Sequence, residues 1–316
     1  MRTLRTLPLL VAALLALTAG CKKRAEEREL RVFHASGLTP VLDAVRDDAR
    51  ERLGLSLLTE ASGSQVACRK VTELGRPCDL VMLADGALVA ELLAGVCSWR
   101  LDFATDEMVL GVGMRAPHAD EAEEDWTAVL ARPDVRLARV DENQGPVGYC
   151  TLLVWKLQEQ RGAAGLSERL RARCKVVVEH VSRLTPLLKS GEVDYAFVYR
   201  SICLAHDVRY VELDAAINLG SEDVDYSGAS VTYRKLGAGD APNVTMTGAP
   251  IVWSLSIPDA GADTASAMRF VRYMLRDRLE VLERNGMRPM KEPAFYGSRT
   301  AFAPFAGFSR YGGALR

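Results

Sequence analysis

Histidine is scarce: the chain has 4 histidines in 316 residues. His34, His118, His180 and His206 are scattered, and none stands in a spacing such as His-Glu-x-x-His that would set two ligands on one helix face. No two cysteines form a Cys-x-x-Cys pair, so a zinc site lacks that ligand pattern as well. There is no Gly-x-Ser-x-Gly elbow and no Walker loop, which removes the common hydrolase and nucleotide-hydrolase signatures. A basic excess is missing too: 40 Lys and Arg stand against 41 Asp and Glu, a net charge of −1. The densest basic run, Lys22-Lys23-Arg24, is interleaved with acids in "KKRAEERE" and reads as a solvated tether, so nucleic acid is not an expected partner. Internal repeats and low-complexity segments are absent.

What is present is an ordinary globular composition, 48% hydrophobic and 26% charged, enough for one large or two medium domains with a real core. The first stretch, "MRTLRTLPLLVAALLALTAG", has Arg2 and Arg5 followed by a short apolar run, the pattern of a signal peptide over residues 1–20. The run is shorter than the ~18 residues a spanning helix needs. It ends in "LTAGC", which resembles the lipobox of bacterial lipoproteins and implies that Cys21 is the lipidated first residue of an exported, membrane-anchored chain. Losing Arg2 and Arg5 and no acid takes the charge from −1 to −3. Residues 21–29 are the tether. Six further cysteines are assigned no pairing.

From residue 30 onward short apolar runs alternate with helical patterns. "LRVFHA", "LSLLTEA" and "CDLVMLA" each precede one, and so do "VRLARV", "KVVVEH" and "DYAFVYR" further on. This predicts βαβ units and two mostly parallel α/β sets in succession. After residue 215 the chain turns Gly- and Asp-rich; "APIVWSLSIP" predicts another strand and "TASAMRFVRYMLRDRLEVLERNG" one long amphipathic helix. Ligands of such sheets sit beyond the carboxyl ends of the strands. The turns there, "HASGLT", "EASGS", "QGPVGY" and "EHVS", carry small residues, hydroxyls and free amides, a set suited to an anion.

The order of these pieces resembles the periplasmic molybdate/tungstate-binding proteins of ABC transporters, members of the type II solute-binding proteins. "LRVFHASGL", "KVTELG", "GPVGYC", "SGEVDYAFVYRS", "YVELDAAINLG" and "TGAPIVWSLSIP" carry the resemblance, which runs from about Leu30 to Pro293. It implies a two-lobed α/β fold, each lobe a mixed sheet flanked by helices, joined by hinge strands near "DEMVLGVG" and "PIVWSLSIP". Lobe 1 would take residues 30–107 and 253–316, and lobe 2 residues 108–252. It further implies a monomer that binds the oxyanion and passes it to a permease and its ATPase, with no cofactor and no catalysis. Position by position, the implied ligand-binding residues are Ser36, Gly37, Ser64, Val147, Val181 and Tyr199.

Two departures from the family pattern matter. Where the archaeal-type branch places a metal-touching Asp and Glu, this chain has Gly145 and Val181, so the anion would be held through its oxygens as a four-coordinate tetrahedron, with no direct metal ligand. Asp141, Glu142 and Glu179 are the nearby carboxylates that could instead reach it. In the first loop the family's Ala-Gly-Ser-Leu appears as Ala35-Ser36-Gly37-Leu38. Either Ser36 turns inward by another route, or Thr39 replaces it, or the Gly37 amide serves alone. Competing readings are the same fold holding sulfate or phosphate, a ligand-sensing lipoprotein, and an enzyme built on Cys150 with His180 as base. The tryptophans, Trp99 among them, are expected in the core or on lobe surfaces.

Overall fold

The structure is a computed structural model that describes residues 27–234 and 243–315. The expected signal peptide, the lipidated Cys21 and all of the tether before Glu27 lie outside the described residues.

The first α/β set gives strands β1 (Arg28–Ala35), β2 (Leu55–Ser62), β3 (Leu80–Leu83) and β4 (Arg100–Asp106). The second gives β5 (Met108–Val112), β6 (Leu137–Val140), β7 (Cys174–Val178), β8 (Tyr195–Tyr199) and β9 (Tyr210–Glu212). Then come β10 (Ser230–Arg234), β11 (Asn243–Thr247), β12 (Ile251–Ser256), β13 (Arg288–Tyr296) and β14 (Arg310–Gly313). A seven-stranded sheet has the order β14-β13-β4-β12-β3-β1-β2, and a five-stranded sheet the order β7-β6-β8-β5-β9. Both are mixed. β1 runs parallel to β2 and β3, and β6 parallel to β7 and β8, whereas β12 and β5 are antiparallel to their neighbours. Two mixed sheets with helices packed on them form the two-lobed α/β architecture that the resemblance implies. β10 and β11 pair as a separate antiparallel ribbon.

The strands "LVML" of β3 and "YAFVY" of β8 are buried at every position. Both are central strands covered on two faces, which is why they read as unbroken apolar runs and not as alternating ones. The chain passes between the sheets at Glu107, the residue between β4 and β5, and again over residues 248–250 before β12. These two crossings lie side by side: Met108 N donates to Asn218 O at 2.7 Å and Ile251 N to Leu219 O at 2.8 Å.

One element differs from expectation. The long C-terminal helix is broken into Thr264–Arg272, a wide π turn over Tyr273–Asp277, and Leu279–Arg284. At the break Arg278 leaves the helical region (φ −135°, ψ 28°). There Arg278 and the Tyr273 hydroxyl both bond to Asp48, on the helix Thr39–Leu53, so a tertiary contact overrides helical periodicity.

Candidate functional site

Four strand-to-helix turns meet between the sheets. β1 feeds a short turn of helix, Ser36–Leu38, that continues as Thr39–Leu53; β2 feeds Ser64–Thr72; β6 feeds Pro146–Gln160; β7 feeds Val181–Ser190. Their first residues wall a cavity lined by Ser36, Gly37, Ser62, Gly63 and Ser64 from one side and by Gly145, Pro146, Val147, His180 and Val181 from the other. Tyr199, Ile202 and Trp253 close it. The cavity is small, about 20 Å³ of space for the centre of a water molecule. A sphere of that volume has a radius of about 1.7 Å, on the scale of one central-atom-to-oxygen bond in a tetrahedral oxyanion.

The chemistry of the walls follows from how helix starts are satisfied. First-turn N–H groups have no partner inside their own helix. Elsewhere in this protein carboxylates accept from them: Asp85 from Ala87 N at 2.8 Å, Glu159 from Ser167 N at 2.9 Å, Asp106 from Ser201 N at 3.2 Å and Asp263 from Ser266 N at 3.0 Å. Among the described residues no side chain accepts from the first-turn N–H groups of the helix starts that face the cavity. They present unshielded amides and partial positive charge to one point, an arrangement that favours an anion.

All six residues implied by the resemblance line this cavity. Ser36 is 5% exposed, and its hydroxyl has no hydrogen-bond partner among the described residues. Gly37 is boxed in: a Cβ there would stand 2.7 Å from Ile202 Cδ1 and 2.9 Å from a Trp253 ring carbon. Ser64 Oγ accepts from Ala84 N at 3.1 Å, which leaves its own proton free to donate. Val147 and Val181 sit in first helical turns and offer backbone N–H groups. Tyr199 donates to Ala84 O at 3.3 Å. Thr39, the alternative first-loop hydroxyl, is not among the lining residues.

The nearby carboxylates are turned elsewhere. Asp141 accepts from Asn143 N at 2.9 Å and Gln144 Nε2 at 3.1 Å, which ties its own loop. Glu142 pairs with Arg139 and, at 2.7 Å, with Arg171. Glu179 is exposed, and no carboxylate side chain lines the cavity. Among the described residues no cluster of three His, Cys, Asp or Glu could hold a metal ion.

Trp253 is buried in the core, as expected of the tryptophans, and also lines the cavity: it packs edge-on against Tyr199 with centroids 5.6 Å apart, and its Nε1 donates to Asp106 at 3.1 Å. Ser62, Gly63 and Ile202 line the cavity as well. Ser62 and Gly63 belong to the turn "EASGS", whose composition does not distinguish them from Ser64. Nothing local marks Ile202 or Trp253, because they reach the cavity only through packing of the two sheets.

The lobes touch across the cavity. Gln65 Nε2 donates to Glu142 O at 3.1 Å and Tyr149 donates to Asp85 at 2.5 Å. Burial pushes the Asp85 carboxyl up and the Tyr149 phenol well up. The Cys150 thiol is likewise driven up by burial, the opposite of an activated nucleophile. Burial also lowers His180, whose Nδ1 bonds Ser182 Oγ at 2.6 Å. The six cysteines from Cys68 to Cys203 are free, and among the described residues no helix is long and apolar enough to cross a membrane.

The profile of the family "Bacterial extracellular solute-binding protein" matches residues 30–288. The chain belongs to this family. A solute-binding protein of Petrotoga mobilis, itself uncharacterized, is 33% identical over 84% of this chain and 85% of its own length. The molybdate/tungstate-binding protein WtpA of Thermococcus kodakarensis is 28% identical over 93% of this chain and 95% of its own. In fold, the periplasmic molybdate-binding protein of Azotobacter vinelandii superposes with a TM-score of 0.58 at 19% identity, covering 82% of this chain and 98% of that one. This solute-binding protein is therefore a carrier of a transported solute and not an enzyme.

Proposed function

We propose that this solute-binding protein captures molybdate or tungstate and delivers it to an ABC permease driven by an ATPase subunit. The observation that carries the reading is the convergence of uncapped helix starts on one carboxylate-free cavity. In this reading Ser36, Gly37, Ser64 and Tyr199 and the amides of Val147 and Val181 surround the anion. Each hydrogen bond to a charged group contributes about 1.5–3 kcal/mol, so a handful supports tight binding without direct ion pairing that would slow release. Gly145 and Val181 leave the central atom untouched, and the anion stays four-coordinate. Residues 30–107 with 253–316 form one lobe and 108–252 the other, closing by a hinge at the two crossings. Lipid on Cys21 would hold the monomer to a membrane of the cell envelope, on its periplasmic side.

A thermal-shift series with molybdate, tungstate, sulfate and phosphate tests the reading, because a ligand bound only by the folded state raises the melting temperature. Molybdate and tungstate are expected to raise it at micromolar concentration. A response to sulfate or phosphate alone refutes the choice of solute.

A further inference from the structure

We propose that Lys70, acting through Ser62, gives the cavity a charge-reading side that favours doubly charged tetrahedral anions over singly charged ones of the same size. The proposal rests on the reading of the cavity as an oxyanion site and adds to its neutral donors a buried cation.

Ser62 ends β2 and lines the cavity. Its Oγ accepts from Lys70 Nζ at 3.2 Å, so the hydroxyl proton is free to point to an anion. Lys70 lies on the helix Ser64–Thr72 and is 9% exposed. Its ammonium also meets Glu60 at 2.7 Å, but that carboxylate is shared, with Arg76 on its other oxygen at 2.6 Å. Two cations on one carboxylate leave one positive charge in excess. Arg76 is turned to solvent and Lys70 inward, which places the excess on the cavity side. The field of Lys70 reaches the opposite wall, where it adds to burial and to Arg183, against the opposing charge of Glu179, in disfavouring a charged His180.

Amides and hydroxyls count oxygens and judge size, and the helix starts add partial positive charge. A cation one hydroxyl away separates two anions of one shape that differ in charge by Coulomb energy. At about 7 Å and an effective dielectric of about 20, each unit of anion charge changes affinity by up to about fiftyfold, less what the Glu60 charge beside Lys70 cancels.

Titration calorimetry with tungstate and with perrhenate, a tetrahedral monoanion of similar size, tests this. The wild type is expected to prefer tungstate. Lys70→Met should weaken tungstate by about ten times more than perrhenate, whereas Ser62→Ala should weaken both. Glu60→Gln, at a half-exposed position on the far side of Lys70, leaves the cation uncompensated and should widen the preference; it serves if Lys70→Met fails to fold in a ligand-free melt. Equal losses for both anions in Lys70→Met, or an unchanged ratio in Glu60→Gln, overturns the assignment. If the wild type binds neither anion, the oxyanion reading itself falls, and the assignment with it.

Discussion

Replacing Gly63 with alanine separates lobe closure from folding. Gly63 precedes the helix Ser64–Thr72 at φ −67° and ψ 151°, a conformation any residue adopts. Within its own lobe the substitution carries no backbone strain, and the loss of chain freedom in the unfolded state is worth about 0.4–1 kcal/mol in favour of folding. Across the cleft the situation reverses. A Cβ at this position would stand 2.0 Å from Gln144 O and 2.7 Å from Gln144 C, which is backbone of the other lobe and cannot rotate away. Relief needs a separation of about 1 Å or more. That breaks the Gln65 to Glu142 bond and lifts the Val147 and Val181 amides from an anion seated on the first lobe. Losing two hydrogen bonds to a charged group costs about 3–6 kcal/mol, a drop in affinity of at least about a hundredfold. Ligand-free melting should be unchanged or slightly higher, tungstate affinity by calorimetry should fall by that factor, and small-angle scattering should show a protein that no longer compacts with ligand. Wild-type affinity in Gly63→Ala would refute the idea that the two lobes grip one anion.

Three further perturbations follow from the same geometry. Ser64→Ala removes one donor and leaves Ala84 N–H without its acceptor; tungstate affinity measured by calorimetry should fall by about 10–100-fold, and no change would exclude Ser64 from the anion shell. Tyr149→Phe deletes the bond to Asp85 across the cleft and should raise the tungstate dissociation rate in stopped flow several-fold with little effect on association; a slowed association instead would place Tyr149 in capture and not in closure. Asp106 is raised from 3.8 to about 6 by burial, against the opposing hydrogen bonds from Ser201, Glu107 and Trp253. Between about pH 4 and 6 the folded state therefore holds a proton that the unfolded chain has released. The stability this group contributes is complete below its unfolded value and is lost as pH rises through the folded one, by about 3 kcal/mol in all. Urea melts across that range should show the fall in the wild type and not in Asp106→Asn, and equal slopes in the two proteins would refute it.

Much of the scaffold was legible because burial on two faces writes itself as unbroken apolar runs. "CDLVMLA" and "DYAFVYR" became β3 and β8, and the glycine, serine and proline between runs marked the helix starts. The long C-terminal helix was misread because its break depends on Asp48, more than two hundred residues away in the chain, and periodicity carries no such information. The site divides in the same manner. Residues at a strand-to-helix turn are visible through local composition, so Ser36, Ser64 and Val147 could be proposed. Trp253 comes from a strand interior, and Lys70 from the last turn of a helix whose charge reads as solvated surface. Trp253 is brought to the cavity by packing of elements far apart in the chain, and Lys70 by the fold of its helix back onto Ser62; neither has a local signature.

The most direct test of the central claim is anomalous diffraction at a tungsten absorption edge from crystals grown with tungstate. The account predicts one strong peak in the cavity between the helix starts at Ser36, Ser64, Val147 and Val181, surrounded by four oxygens that meet amides and hydroxyls, with no carboxylate oxygen bonded to the metal. A peak elsewhere, or a six-oxygen metal reached by Asp141, Glu142 or Glu179, would contradict it.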